Sequence, residues 1–461
     1  MATIGILPLG RTTFDVGFAE EKLARMLAAL DASGHRIAGT RGLLFDADAT
    51  RAALDGLAEA EIDRLLLLQV TFTDASMTVA AADRFDVPLA IWAVPEPRTG
   101  GRLRLNAFCG LNLASHALGR NNRAFGWLYA DPAGMDGGGL DDLLSGRRDV
   151  KPLEPHAPSE HSTAEGEAAA AALSGSRIAR IGTHPEGFDT CAYDDDAVAA
   201  LGASVEPIEL ATLFSAARHV PAKQAQALRR EAGAVLTGLD TVDQQQLDRS
   251  LRLKLALDEL RGAGGFDAFA IRCWPETFTE YGGAVCGPVS MLGEARVPCA
   301  CEADVYGALT QILLQKVADA PVFLADLVDI DTGDDTGVVW HCGQAPLSMA
   351  DPDARAAATI HTNRNVPLLY EFSLKPGRVT LMRLSQAHGT PRMVLAGGEM
   401  LGRDMAFTGT SGVLRFDRRA GDILNDIMNS GLEHHMAIAY GEHRPVLRSA
   451  AAALGLPLIE L

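Results

Sequence analysis

A chain of 461 residues, 48% of them hydrophobic and 22% charged, has the composition of a soluble globular protein and the length of about three domains. Its net charge of −18, with no run of Lys or Arg, argues against nucleic acid or an anionic membrane as a partner. No apolar run reaches the roughly 18 residues of a membrane span, the start Met-Ala-Thr-Ile-Gly-Ile-Leu-Pro lacks the regions of a secretory signal, and seven scattered cysteines do not resemble a disulfide framework. A cytoplasmic protein is the expectation.

Residues 3–9 read as a strand, followed by a helix near 16–31 in which Phe18, Leu23, Met26, Leu27 and Leu30 recur at helical spacing. A helix near 49–60 and the apolar runs 65–70 and 89–94 continue the alternation that parallel strands covered on both faces produce. The first domain, 1–165, is therefore expected to be doubly wound α/β. Functional groups should stand at the carboxyl ends of its strands, where Arg11, Thr71, Asp74, Glu96 and Arg98 are candidates. From 131 to 165 Asp, Gly, Pro, Ser and His dominate, with Gly137-Gly-Gly139, and the segment reads as a linker or long loop before an Ala-rich helix at 164–173.

A second α/β domain, 166–330, is expected from a strand at 176–182, helices near 222–237 and 242–262, and a strand at 266–272 that delivers Cys273-Trp274-Pro275. A helix at 303–317 directly follows Glu302, a position that favours an ionised carboxylate. From 331 to 461 the texture changes to short alternating runs, 337–340, 366–370, 377–384 and 393–396, separated by turns such as Lys375-Pro-Gly377. This predicts a β-rich C-terminal domain, an antiparallel sheet or small barrel, ending in Gly431-Leu-Glu-His-His-Met436, a helix near 443–453 and a strand at 457–459.

Glu302, Asp326 and His341 each lie beside an apolar run of strand type. Charged groups at the ends of buried elements are costly unless compensated, and a divalent cation is an economical common partner. Each residue also has a plainer reading: Glu302 as a carboxylate complementing a helix dipole, Asp326 as a loop N-cap, His341 as a hydrogen-bonded core histidine. His434 and His435 would point to opposite faces of a strand, so at most one should ligate directly. Cys299, Cys301 and Cys342 lack a CxxC pair and read as small buried residues rather than zinc thiolates. The chain holds no Walker or dinucleotide fingerprint and no Gly-x-Ser-x-Gly elbow.

In order along the chain, Arg272-Cys-Trp-Pro, Pro298-Cys-Ala-Cys-Glu-Ala-Asp304, Phe323-Leu-Ala-Asp326, His341-Cys-Gly343, Lys375-Pro-Gly-Arg-Val-Thr-Leu-Met-Arg383 and Gly431-Leu-Glu-His-His435 resemble the signature segments of the L-fucose isomerase/L-arabinose isomerase superfamily. The likeness extends to Asn112-Leu-Ala-Ser-His and to Arg123-Ala-Phe-Gly126. It implies two α/β domains and a β-rich third, with a divalent metal, commonly Mn2+. On this mapping Glu302 and Asp326 match the two metal-binding carboxylates, which also serve as the acid/base pair. His341 matches the first histidine ligand and one of His434 and His435 the last, with His435 favoured by similarity to the arabinose branch; Arg11, Trp274 and His434 are candidates for binding the sugar. The family's sites form between subunits of homotrimers or homohexamers, and Arg11 is the best match for a residue given to a neighbour's pocket. Asp326 follows the fucose branch, whereas the double histidine follows the arabinose branch.

The resemblance implies an aldose–ketose isomerase of a pentose, a deoxyhexose or a modified hexose. An open-chain aldose presents a carbonyl and a neighbouring hydroxyl that a divalent cation can polarise together, and two carboxylates can move the protons through a cis-enediol. Arg11, Arg98, Arg272 and Arg383 would admit an anionic sugar, although the plainer reading of each arginine is a salt bridge. The alternatives are a non-catalytic sugar-binding or sensor protein on the same fold, and a lyase or epimerase that shares the intermediate.

Overall fold

Three sheets follow one another along the chain in a computed structural model that describes residues 2–135, 138–147 and 151–461. The first contains β1 (Thr3–Leu9), β2 (Arg36–Gly39), β3 (Arg64–Gln69), β4 (Leu89–Ala93) and β5 (Phe125–Tyr129) in the order β2-β1-β3-β4-β5, all parallel. Leu65 to Leu68 and all of β4 are buried, because helices cover both faces, and that double covering is what makes these strands continuous apolar runs. The helix Ala107–Arg120 is buried from Ala107 through Leu118. A helix enclosed on every side carries no amphipathic period, so periodicity alone does not reveal it.

That helix ties the first sheet to the last. Asn112 donates to the Leu432 carbonyl at 2.7 Å, Ser115 to that of Met428 at 2.6 Å, and His116 Nδ1 lies 2.8 Å from that of Gly431. The expected linker is partly ordered into structure. It holds the helix Gly138–Ser145 and a bridge between His156 and Leu458, and Thr163 caps the helix Ala164–Ala170. Residues 136–137 and 148–150 of the linker lie outside the described residues.

The second sheet contains β6 (Arg177–Ile181), β7 (Ser204–Ile208), β8 (Ala268–Ile271) and β9 (Cys299–Ala300) in the order β7-β6-β8-β9, again all parallel. The third contains β10 (Phe323–Asp331), β11 (Thr336–His341), β12 (Ala357–Thr359), β13 (Leu369–Ser373), β14 (Gly377–Ser385), β15 (Arg392–Leu401), β16 (Thr410–Phe416), β17 (His435–Tyr440) and β18 (Leu458–Glu460). Its order is β12-β13-β16-β11-β10-β17-β14-β15-β18, and β15 also pairs with β16. The strands β16, β11, β10, β17, β14 and β15 therefore close into an antiparallel ring. The architecture is two parallel α/β units followed by a β-rich unit, as the alternation of strand and helix patterns predicts.

One boundary moves. β10 pairs antiparallel with β11 and β17, so the strand that carries Asp326 belongs to the C-terminal ring and not to the central unit. Among the described residues no helix is long and apolar enough to cross a membrane.

Candidate active site

Segments from all three sheet units meet at one cavity of about 110 Å³, lined among others by Arg11, Trp274, Glu302, Asp326, His341, Arg364 and His434. A second cavity, about 730 Å³, opens beside Leu89 and Phe125 at the other end of the first sheet; apart from Asp86, its lining brings no carboxylate. The carboxyl end of β8 leads to Trp274, and β9 leads into the 3-10 turn Cys301–Ala303. There Glu302 has φ +59° and Ala303 φ +56°, a left-handed backbone that costs of the order of 1–3 kcal/mol for a non-glycine residue and is characteristic of functional turns. The helix Val305–Ala318 begins beyond this turn, and its N-cap is Asp304, whose side chain accepts the Gly307 N–H at 2.8 Å. Complementing that helix is thus the task of Asp304, not of Glu302.

Asp326 lies within β10, directly opposite His435 of β17, rather than in a loop cap. Paired residues on adjacent strands share a face, which brings His435 Nε2 to 3.3 Å from Asp326 Oδ1. His434 precedes β17, so strand alternation does not separate the two histidines; their ring centroids are 3.9 Å apart. Both face Glu302, His434 Nε2 at 3.0 Å and His435 Nε2 at 3.8 Å from Oε2, while Trp274 Nε1–H donates to Oε1 at 3.1 Å. His341 ends β11, with its ring centroid 5.7 Å from that of His435.

Behind these groups stands a pair that the sequence reading did not assign to the site. His435 Nδ1 lies 2.9 Å from Asp304 Oδ2, and Arg383 clamps Asp304 with Nη1 at 2.5 Å and Nη2 at 3.0 Å. The signal was present in the segments around Glu302 and Arg383, but pairing two remote charges requires the fold. Cys191, whose Sγ is 3.8 Å from Glu302 Oε2, carried no sequence signal. The other cysteines are free, and Cys299 and Cys301 are buried as expected, with Cys342 half-buried.

Among the described residues two groupings could hold a metal ion: Cys191, Glu302, His434 and His435, and Asp326, His341 and His435, each with ligand atoms within 4.8 Å of one another. His435 belongs to both. Asp326 Oδ1, His341 Nε2 and His435 Nε2 are buried with no hydrogen-bond partner among the described residues, which is costly unless something else satisfies them. Around His435 stand three carboxylates, Glu302, Asp304 and Asp326, and one guanidinium, that of Arg383 paired with Asp304, so with neutral histidines the cluster carries two excess negative charges. A divalent cation fits both the bare atoms and the charge.

The titration directions agree with such a field. Burial pushes Glu302 up, but the His434 hydrogen bond, the two imidazoles and Trp274 outweigh it and hold the carboxylate ionised. Burial also disfavours charge on His341, yet Cys342, Asp326 and Glu302 push it up to about 10. His434 is raised in the same way against its burial, chiefly by Glu302. His435 goes the other way, lowered by burial and by its His434 neighbour, and is the neutral imidazole of the set.

Arg11 reaches the cavity within its own chain, where it pairs with Asp74 and its Cζ stands 5.7 Å from the Trp274 ring. The loops at the carboxyl ends of β1 and β3 dock on the chain's own ring, which places Arg11 in a cavity of its own chain. The other arginines considered from sequence are committed to carboxylates: Arg98 to Asp329, Arg272 to Glu276 and Arg383 to Asp304.

Residues 5–144 match the family described as fucose/sulfoquinovose isomerase, N-terminal domain, and residues 339–461 match L-fucose isomerase, C-terminal domain. A sulfoquinovose isomerase of Priestia aryabhattai is 29% identical over 95% of this chain and 95% of its own. A sulfoquinovose isomerase of Clostridium sp. (strain MSTE9) is 30% identical over 98% of both, and one of Alkalicoccus urumqiensis is 28% identical over 100% of both. Among solved structures, a ribose 5-phosphate isomerase of Thermotoga maritima, 17% identical, covers 31% of this chain and 83% of its own at a TM-score of 0.16, too low to carry an argument. The chain belongs to the fucose isomerase family, and its activity is that of an aldose–ketose isomerase.

Proposed function

We propose that the chain is a metal-dependent isomerase of an anionic sugar, a sulfonated hexose such as sulfoquinovose, and that it works through a cis-enediol. The observation that carries the metal is the set of bare buried atoms on Asp326, His341 and His435 within a cluster of net charge −2 when its histidines are neutral. Glu302, Asp326, His341 and His435 would hold the ion, with Mn2+ the best match to an oxygen-rich set with imidazoles. When bound, it polarises the sugar carbonyl and acidifies the neighbouring hydroxyl. The anionic substrate is supported by the curated relatives, which are named sulfoquinovose isomerases.

The chain's own groups then divide the work. His435 is the most prepared ligand, since its Nδ1 proton is committed to Asp304 and its Nε2 lone pair is free. In its neutral form His341 accepts the Cys342 backbone N–H at Nδ1, 2.9 Å away, so this ring must give up either a proton or that bond to ligate through Nε2. Glu302 and Asp326 form the acid/base pair: one takes the proton from C2 and returns it to C1, and the other carries the oxygen-bound proton. His434, bonded to Glu302 and exposed to the cavity, orients that carboxylate and faces the sugar, while Trp274 fixes its other oxygen. The assembly we propose is the homotrimer or homohexamer that the resemblance implies, and seven free cysteines support the cytoplasm as its compartment.

The test is NMR of a panel of neutral and anionic aldoses in deuterated buffer with Mn2+, before and after chelation. The expected result is ketose with deuterium at C1 that disappears on chelation, and a loss of about 10²–10⁴ in kcat for Glu302→Gln and Asp326→Asn. Ketose formation that survives chelation, or a Glu302→Gln variant as active as the parent, would overturn the mechanism.

A further inference from the structure

We propose that Arg364, with Arg11 beside it, binds the anionic group of the sugar at the end of the pocket away from the paired carboxylates. This rests on the reading of the substrate as an anionic sugar. Among the arginines that line the cavity, Arg11 is occupied by Asp74. Arg364 makes no side-chain hydrogen bond or ion pair with any described residue; its guanidinium meets only rings, with Cζ 5.2 Å from the centroid of Trp274 and 5.7 Å from that of Phe278. A half-buried guanidinium has lost part of its water, and at Arg98, Arg272 and Arg383 the fold supplies a carboxylate in return.

Arg11 makes the absence sharper. Its Cζ is 5.7 Å from the same Trp274 ring, so two guanidiniums share one indole with a single carboxylate between them. Burial, and after it the charge of Arg11, lower the proton affinity of Arg364, so the site gains from a further negative charge. The segment that presents Arg364 is built rather than loose. The backbone N–H groups of Arg364 and Asn365 both donate to the His361 carbonyl, at 3.0 and 2.6 Å, and Arg102 Nε–H donates to Asn363 Oδ1 at 2.7 Å. Phe278 stands edge-on to the His361 ring with centroids 5.3 Å apart.

Trp274 relates this end of the pocket to the chemistry. Its Nε1–H holds Glu302 while its ring lies against the two guanidiniums, so a sugar lying along the indole has its reacting end at Glu302 and its far end at Arg364. A tetrahedral sulfonate or phosphate offers three acceptor oxygens, which suits the planar fork of one arginine and the charge of a second.

The experiment compares kcat/KM for sulfoquinovose, for the 6-phosphate of the same hexose and for the neutral hexose itself, in the Mn2+-loaded parent protein and in Arg364→Met and Arg364→Lys. The ratio of sulfonated to neutral sugar should fall about 10- to 100-fold in Arg364→Met, with part of it recovered in Arg364→Lys. Should Arg364→Met fail to fold, Arg364→Lys and competitive inhibition of the parent by a simple alkyl sulfonate carry the test. A ratio unchanged in both variants, or no inhibition, overturns the role of Arg364 while leaving the anionic-sugar reading standing. A parent protein that does not discriminate between charged and neutral hexoses overturns both. The phosphate arm separates sulfonate recognition from a general preference for anions.

Discussion

His435 enters the site with one ring nitrogen already committed. Its Nδ1 meets Asp304 at 2.9 Å, Asp304 is fully buried, and Arg383 clamps both carboxylate oxygens. Burial would push Asp304 up, but the Arg383 charge and the His435 contact hold it well below the usual carboxylate range. The carboxylate therefore stays ionised at any working pH and fixes the imidazole tautomer, with Nε2 turned towards Asp326 and Glu302. Asp304→Asn keeps the shape and removes the charge, so the Mn2+ dissociation constant should rise about 10- to 100-fold by electron paramagnetic resonance titration. An unaltered Mn2+ affinity in the folded variant would show that Asp304 serves the helix alone.

At the scale of elements, the end of β4 and the helix Ala107–Arg120 are joined by one carboxylate. Glu96 accepts the backbone N–H groups of Arg104, Leu105 and Asn106 at 2.6, 2.8 and 2.9 Å. These bonds precede a helix whose N-cap, Asn106, makes no side-chain cap bond of its own. Burial raises Glu96, the three N–H bonds oppose that, and the nearby Asp329 adds to it, leaving the carboxyl pushed up to about 6. A carboxyl whose folded pKa exceeds its unfolded value binds more protons when folded. Its contribution is then complete below the unfolded value of about 4.3 and is lost as pH rises through 6, a difference of about 2 kcal/mol. Thermal unfolding from pH 4 to 7 should show the parent losing stability relative to Glu96→Gln across that window. Parallel curves would mean that Glu96 titrates normally.

At the scale of the molecule, the first α/β unit is held to the ring by an ion pair. Arg98 donates from Nε to Asp329 at 2.6 Å and from Nη1 to the Thr336 hydroxyl at 2.7 Å, and the Tyr129 hydroxyl donates to the other oxygen of Asp329 at 2.5 Å. Asp329 is 2% exposed, so removal of Arg98 leaves an uncompensated buried carboxyl. Arg98→Met should lower stability by about 3 kcal/mol in urea unfolding, with the transition broadening as the first unit loosens from the ring. A variant within about 0.5 kcal/mol of the parent would show that the hydrogen bonds of Asn112 and Ser115 suffice for docking. The same docking brings Arg11 to the chain's own cavity.

Much of this was legible in the amino-acid order. Alternating apolar runs and amphipathic helices specified two parallel α/β units, because strands covered on both faces must be apolar throughout. Short runs between Gly and Pro turns specified the β-rich third. Glu302, Asp326 and His341 stand out as charged or imidazole groups beside buried strands, and the order of the segments marks the family and, through that resemblance, His435. The fold alone decided which of them meet. The antiparallel register of β10 against β17 sets Asp326 opposite His435, and the position of His434 ahead of that strand lets both imidazoles face Glu302. Asp304 with Arg383, and Arg364 without a carboxylate, could not be read from the chain. Local sequence sets the period of an element and the chemistry on it, whereas the partner of a buried charge is chosen by strand pairing and domain docking between residues far apart along the chain.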